Sequence, residues 1–600
     1  MKKTLLSIFL ILLLSATGIR AQNPYPIPEQ KLWPESPHSA RLRQVTMPTP
    51  ALATGAVTFD VPLWTLKVDD LEIPFSLRYH SNGIKASDDP YPVGYGWTFL
   101  PALRITRHVL GRPDGCPYDF VGDYSSPLTW DQRFGSMVSR KGLGIYAGFD
   151  SEHDIFTVHL PGTSFNAYYD FRSKTLISPG KREYRMECAL DGIRGITVIK
   201  VTDPQGRVWN FSTGGKLWNN EALSEWALTD VTLPSGRRIT FTWTDKGAHV
   251  PVVGRRCSYY FLYCVSSDKQ FDTYGYDRQG NIDLSVSPGG SLMNLTGVTF
   301  PGGSVNVTYN GGGTTTISRL TVKGGTETVE DVVFGHGTSD SDLTMLASVR
   351  FRDGRQYSFE YDPQRISTSG IRDYWGYHKG TKAPTADPDV PYMTFGMLGG
   401  YNQSKTVQGY DRRPDAAAMQ ANILKKVTYP TGGSVEWEYE PHRFAETDFI
   451  DGKHGSFTLS SVYGGRLSFG GGLRVRKVLM RRDASDTSPR KVEYVYGNGG
   501  DGLAVAEALP TASTFISDCS RVMRGAELFE RPPYPYALEA GMITVNADPC
   551  HESYRFGDPA IWYREVSEIH EEGKTVHRFD KPYYNRIKVA TAETTYQEYL

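Results

Sequence analysis

One spacing recurs along this 600-residue chain and constrains its fold more than any other feature. In "LKKVTYPTGGSVEWEYE", residues 424–440, Leu424, Val427, Pro430, Gly432, Val435, Trp437 and Tyr439 fall at −3, 0, +3, +5, +8, +10 and +12 from the valine. "LTDVTLPSGRRITFTW" repeats every offset with Leu228, Val231, Pro234, Gly236, Ile239, Phe241 and Trp243. "LASVRFRDGRQYSFEY" does so with Leu346, Val349, Gly354, Tyr357, Phe359 and Tyr361, and has Arg352 in place of the proline. "LTGVTFPGGSVNVTY" carries Leu295, Val298, Pro301, Gly303, Val305, Val307 and Tyr309, its last strand one residue early. "VIKVTDPQGRVWNF" is a weaker copy through Val198, Val201, Pro204, Gly206, Trp209 and Phe211.

Each copy reads as a β-hairpin. Side chains alternate with period two along a strand, which sets Val427, Tyr429, Val435, Trp437 and Tyr439 on one apolar face and Thr428, Glu436, Glu438 and Glu440 on the other. Proline presets φ at the turn and glycine permits positive φ. One such hairpin is not stable alone, so several must lie side by side and share an aromatic wall. The valines at 201, 231, 298, 349 and 427 are unevenly spaced, which implies large insertions between units. "DAAAMQANILKK" is expected to form one short helix leading into the 424–440 hairpin. "GAVTFDVPLWTLKVDDLEIPFSLRYHSNG" reads as two strands about a Val-Asp-Asp turn, and "GGLRVRKVLMRRDASDTSPRKVEYVYGNGGDG" as a long hairpin. "VSEIHEEGKTVHRF" looks like a contracted copy. The predicted fold is all-β: successive hairpins forming a curved shell or elongated wall, an N-terminal β-module and few short helices. The expected divisions are a signal peptide (1–21), the β-module (22–115), repeats with insertions (116–440) and continuing hairpins (441–600).

Composition agrees. The chain has 36 Tyr and 61 Gly, residues of strands and turns. Lys and Arg total 65 against 66 Asp and Glu, a balance with no footprint for nucleic acid. The start, "MKKTLLSIFLILLLSATGIRAQ", has two lysines, an apolar run and small residues up to Ala21, the pattern of an exported protein cut after Ala21. That run is short for a membrane span and no later segment supplies one, so none is expected in the mature chain. Six cysteines leave room for a staple between Cys257 and Cys264, or Cys519 and Cys550, or for unpaired thiols; no C-x-x-C occurs.

The order of four stretches resembles the N-terminal region of bacterial YD-repeat (RHS-type) surface and secreted proteins. They are "DVPLWTL…LEIPFSLRYHSNGIK…VGYGWTFLPALRITRHVLGRPD" within 60–114, "DIFTVHLPG" at 154–162, "DYWGYHKG" at 373–380, and "LKKVTYPTGGSVEWEYE" followed by "GGLRVRKV" at 471–478. The resemblance implies hairpins wound into a hollow shell that encloses an effector, often a toxin released by an aspartyl self-cleavage core. A mature tract of strict tyrosine-aspartate repeats and the self-cleavage motif are missing from this sequence, which suggests a degenerate or truncated member. The partner implied is a separate or downstream effector.

Signatures of chemistry are sparse. No H-E-x-x-H, G-x-S-x-G, P-loop or EF-hand pattern occurs, and neither cofactor nor metal ligand set is expected. "GLGIYAG" at 142–148 has two glycines in dinucleotide spacing with the third misplaced, and reads as a turn. "DSEHDIFTVH" gathers Asp150, Glu152, His153, Asp154 and His159, a metal or acid/base cluster or else a charged turn before a strand. Asp373, Trp375 and Tyr377, with His378, form a candidate ligand surface for stacking sugar; the alternative is aromatics plugging the wall with Asp373 capping a turn. Glu436, Glu438 and Glu440 read as a solvated strand face, with a cation site as the alternative, and Arg474, Arg476, Lys477, Arg481 and Arg482 as a basic strand-like run, with a polyanion site as the alternative. The leading expectation is a non-enzymatic exported scaffold, secreted, periplasmic or at the cell surface, that acts in cell-surface contact or encapsulates an effector not present in this chain. A secreted carbohydrate binder, using Trp33, Trp64, Trp130 or Trp375 on cell-surface glycan, comes second, and a glycoside hydrolase with paired carboxylates third.

Overall fold

The computed structural model describes residues 49–85, 88, 92–108, 114–115, 153–170, 172–191, 195–213, 217–218, 222–223, 225–248, 258–265, 271–272, 291–311, 316–337, 345–366, 371–380, 390–397, 404–448, 452–454, 457–460, 466–506, 515–519, 539–546, 561–580, 586–591 and 594–599. The signal peptide expected at 1–21 and the 142–148 glycines lie outside them. Thr49–Leu600 forms one compact unit. The described residues are all-β, with helix confined to short 3-10 turns such as Ala418–Gln420 and Asn498–Gly500.

One antiparallel sheet dominates, and it branches at the strand Glu225–Thr232. Residues 225–227 pair with Arg104–His108, 230–232 pair with Arg238–Ala248, and the opposite edge pairs with Val208–Thr213. The strands from Arg104–His108 round to Glu225–Thr232 thereby close on themselves. From Arg238–Ala248 the sheet continues as a wall through Ser291–Phe300, Gly303–Tyr309, Ile317–Gly324, Glu327–His336, Leu346–Arg350, Gln356–Tyr361, Leu424–Thr428 and Ser434–Asp448. It ends with Arg466–Arg481, Arg490–Tyr496, Glu565–His570 and Gly573–Arg578.

The repeat offsets map directly onto this ladder. Val231 pairs with Ile239, Val298 with Val305, Val349 with Tyr357 and Val427 with Val435. In three of these copies the turn is closed the same way. Leu233, Phe351 and Tyr429 each accept from the turn glycine and donate to the residue four places on. Gly236, Gly354 and Gly432 hold φ of 81°, 86° and 86°, where a Cβ would be strained. In the 298 copy Phe300 pairs directly with Gly303, and Gly302 takes the positive φ, 89°. That turn is one residue shorter, which is why its second strand arrives early.

The leucine at −3 exposes a feature that simple alternation misses. An odd offset would set it on the face opposite the valine, yet Leu228, Leu346 and Leu424 are as fully buried as Val231, Val349 and Val427. The ladder slips by one residue between them, leaving Thr229, Thr296, Ala347 and Lys425 as extra residues in their strands. A β-bulge restores the face, since one added residue reverses the alternation. The same slip at Ser318 and Arg476 marks two further hairpins, Ile317–Gly324 with Glu327–His336 and Arg466–Arg481 with Arg490–Tyr496. The first has no turn proline and ends on His336 in place of the terminal aromatic, so sequence matching passes over it.

The N-terminal strands Val57–Val68, Leu71–Ser81 and Trp97–Leu100 form a separate three-stranded sheet. It lies across the aromatic face of the wall. Phe59 meets Tyr357, Phe359, Tyr429 and Trp437 edge-on, and Trp64 packs on Phe300. Asp69, at the hairpin tip, takes hydrogen bonds from Ser235 and Arg237 in the turn of the 231 copy. The hairpin thus crosses successive repeats, and a buried apolar layer lies between the two sheets.

The expected helix at 415–426 reduces to one 3-10 turn. Asp415 Oδ1 caps it by accepting from Ala417 and Ala418, but Asn422 turns to φ 59° and the strand Leu424–Thr428 begins at once. Pairing with Gln356–Tyr361 outweighs the helix propensity of the alanines.

Candidate functional site

The motifs quoted above converge in space, and that junction is the best-built polar site among the described residues. Asp373 is fully buried. Its Oδ1 accepts from the backbone N–H groups of Trp375 and Tyr377, both at 2.9 Å, and its carbonyl accepts from Arg412 Nη2 at 2.7 Å. Oδ2 meets no donor among the described residues, and burial pushes the carboxyl up to about 6. Trp375 and Tyr377 pack against the strand Arg466–Arg481 where it reads Gly470-Gly471-Gly472. A Cβ on Gly470 would stand 2.4 Å from the Trp375 ring, and one on Gly472 2.7 Å from Tyr377 Oη. Tyr377 Oη donates to Asn82 Oδ1 at 3.2 Å, and Leu473 N–H donates to the Asn82 carbonyl at 2.5 Å. The "YHSNG", "DYWGYHKG" and "GGL" stretches are therefore three faces of one joint.

The residues offered as a stacking surface present none: Asp373, Trp375 and Tyr377 are 0%, 8% and 2% exposed, with Trp375 against Phe444. Their spacing serves the turn that Asp373 closes, and the rings fill space left by three glycines. Trp64, half-buried, is held between Phe75 and Phe300; Trp33 and Trp130 lie outside the described residues.

The two charge runs neutralise each other. Glu438 faces Lys477 at 2.5 Å, Glu436 faces Arg481 at 3.3 Å, and Glu440 takes Arg474 at 2.7 Å. Neighbouring antiparallel strands bring these carboxylates and cations together, while Arg476 and Arg482 stay exposed, Arg482 pairing with Asp486 at 3.2 Å. An open groove of about 610 Å³ on this polar face is lined by Glu360, Lys425, Lys426, Glu436 and Glu438. Its lysines are also engaged, Lys426 with Glu360 at 3.0 Å and Lys425 with Asp362 at 3.6 Å.

Of the acid/His cluster, the described members are Asp154, His153, which lies 3.9 Å from Asp114 Oδ2, and His159. Asp154 turns inward to a buried ion pair with Arg107 at 3.1 Å, and it accepts from the Asp114 N–H at 2.7 Å. Arg107 stacks over Phe156 and Trp226. His159 faces Ser164 on the next strand. Asp150 and Glu152 lie outside the described residues. Among the described residues no group of three His, Cys, Asp or Glu side chains is set to hold a metal ion, and no helix is long and apolar enough to cross a membrane. Cys188 is a free thiol, pushed up to about 12 by burial; the other cysteine pairings fall on residues whose side chains are not described.

The repeat residues Val231, Pro234, Gly236, Phe241, Trp243, Val349, Gly354, Phe359, Tyr361, Val427, Pro430, Gly432, Trp437 and Tyr439 all lie in the wall or its turns. The terminal tryptophan or tyrosine of four copies has a polar task that the spacing alone does not show. Trp243 Nε1 donates to the Leu228 carbonyl at 2.7 Å, Tyr309 to Leu295 at 3.0 Å, Tyr361 to Leu346 at 2.7 Å and Tyr439 to Leu424 at 2.5 Å. Tyr496 does the same to Val475 at 2.6 Å. The terminal aromatic of these hairpins thus ties back to the −3 residue beside the bulge.

No family model matches the chain, and no curated protein matches it. It is similar to solved structures at low identity. The crystal structure of TcdB2-TccC3 matches with a TM-score of 0.30 and 10% identity over 88% of this chain and 30% of that one. The N-terminal domain of the effector protein SpvB from Salmonella typhimurium matches with a TM-score of 0.22 and 13% identity, over 70% of this chain and all of that one. The Photorhabdus luminescens Tc holotoxin pore with a TccC3 mutation gives 0.30 and 10%, over 89% of this chain and 26% of that one. The chain thus spans under a third of the TcdB2-TccC3 chain it matches. Similarity of this size assigns neither an activity nor a partner to this chain.

Proposed function

We propose that the chain is an exported, non-enzymatic β-scaffold of YD-repeat type that holds or presents a separate effector protein. The observation that carries this reading is the repeated hairpin itself, with its bulge and its aromatic-to-carbonyl bond, built side by side into one wall. Such a design invests its aromatic residues in a continuous structural layer. Several charged side chains are spent on internal partners in keeping with this reading: Asp154 on Arg107 and Glu438 on Lys477. The proposed divisions are the signal peptide at 1–21, the crossing β-module, and repeats continuing through 441–600.

The test is a tagged, exported chain purified with the products of adjacent reading frames and then assayed on a glycan array and for release of reducing sugar. The reading expects a stoichiometric complex with a neighbour-encoded protein, no sugar release and no glycan bound below the millimolar range. Glycan binding at micromolar sugar, or sugar hydrolysis, would overturn it.

A further inference from the structure

A buried hub joins the first described turn of the chain to the far end of the wall. Arg474, 4% exposed at its side chain, bonds Glu440 through Nε and Nη2 at 2.8 and 2.7 Å. Its Nη1 donates to Tyr563 Oη and to the Gly502 carbonyl, both at 2.8 Å. Tyr563 Oη in turn lies 2.8 Å from His442 Nδ1. The guanidinium stands over the rings of Tyr496 and Tyr563 at 4.6 and 5.1 Å. Two backbone bonds hang from this hub. Val475 N–H donates to the Gly55 carbonyl and Tyr563 N–H to the Ala53 carbonyl, both at 2.8 Å, while Gly55 packs so closely that a Cβ would meet Arg474 Cβ at 2.5 Å.

The charges fix the protonation state of the hub. Glu440 and Arg474 balance as an ion pair, Tyr563 accepts from Arg474, and its own hydroxyl hydrogen is then free to go to His442 Nδ1. That requires a neutral imidazole with Nδ1 as acceptor. The Ala51–Ala56 turn, "ALATGA", brings no titratable group to the hub, and Arg443, next to His442 on its strand, is exposed. Tyr496 faces the guanidinium. Protonating His442 would set a second cation beside Arg474 and turn the His–Tyr bond around, leaving the phenol hydrogen without an acceptor. Burial, and then Arg474, accordingly hold His442 down at about 3, and burial pushes Tyr563 up to about 12.

We infer that the His442–Tyr563–Arg474 hub is an acid-sensitive clip that fastens the Ala51–Ala56 turn to the wall and loosens it in mild acid while the hairpins stay paired. The sign follows from linkage. Once the clip opens, His442 regains an ordinary affinity for protons, near pH 6.5. The open form then gains about tenfold for each pH unit below that value, down to the pKa of the closed form. The contacts released are few, two backbone bonds and one side-chain triad, so local opening does not require the wall to melt.

Amide hydrogen exchange of the full chain, corrected for the intrinsic pH dependence of exchange, tests this. Protection at Val475 and Tyr563 should fall about tenfold between pH 6 and pH 5, with residues 424–440 unchanged. His442→Asn keeps an acceptor near the Nδ1 position and cannot be protonated; its protection should be independent of pH over the same range. Flat protection in the native chain, an equal fall at 424–440, or the same pH dependence in His442→Asn would each overturn the clip. Should His442→Asn fail to fold, the contrast within the native chain still decides.

Discussion

Tyr439 Oη donates a 2.5 Å hydrogen bond to the carbonyl of Leu424, fifteen residues earlier and across the hairpin. The carbonyl lies beside the bulge at Lys425, where the ladder skips a residue and a regular backbone partner is displaced. The ring is therefore both a wall element and the partner for that carbonyl. Tyr439→Phe keeps the packing and leaves the carbonyl unpaired, a loss of about 1–2 kcal/mol. Tyr361→Phe should cost more. Its hydroxyl donates to Leu346 and also accepts from Trp97 Nε1 at 2.8 Å, so two buried groups lose their partner. Urea titrations should rank native above Tyr439→Phe above Tyr361→Phe; a Tyr361→Phe midpoint equal to native would refute the assignment.

Glycines of the same sign of φ should differ sharply in tolerance. Gly432 has φ 86° with nothing within 4 Å of a Cβ, so Gly432→Ala carries only the backbone cost, about 1–2 kcal/mol. At Gly472 the φ is 107° and a Cβ would lie 2.6 Å from the Asn82 carbonyl oxygen and 2.7 Å from Tyr377 Oη. Gly472→Ala should cost about 3 kcal/mol or more, since backbone strain adds to overpacking. Thermal melts of the two variants measure the difference; equal melting temperatures would contradict it.

Ion pairs should separate by burial. Arg107 and Asp154 are both shielded completely, and Asp154→Asn leaves a buried guanidinium without its counter-charge, a loss of about 3–5 kcal/mol. Glu438 is 41% exposed and Lys477 17%, so Glu438→Gln should cost about 0.5 kcal/mol and less in high salt. Denaturation at low and high salt would show whether the order holds; a Glu438→Gln loss as large as that of Asp154→Asn would not fit.

Asp373 should make the fold less stable as pH rises through the acid range. Burial raises its folded pKa to about 6 from 3.8, so between those values the folded chain holds the proton that the unfolded chain has released. Its contribution is complete below about pH 3.8, falls up to about pH 6 and is flat above. Asp373→Asn retains an oxygen acceptor for the Trp375 and Tyr377 N–H groups and carries no charge. Its stability at pH 7 should match or exceed native, by up to about 3 kcal/mol. A large loss at pH 7 would show that the charged carboxylate is needed.

Sequence alone determined the hairpins: the Val–Pro–Gly–aromatic offsets fix strand, turn and buried face, because turn chemistry and period-two alternation are local. The odd −3 offset of Leu228, Leu346 and Leu424 already held the sign of a bulge, legible only once the leucine was required to share the valine's face. Tertiary structure decided the rest, because it depends on which distant segments meet. Nothing local shows that Glu438 lies opposite Lys477, that three glycines at 470–472 make room for Trp375 and Tyr377, or that His336 stands in for a terminal tyrosine. Nor does any local pattern set Phe59 on Tyr357, Tyr429 and Trp437, where the first hairpin crosses the wall and turns its aromatic face from a surface into a core.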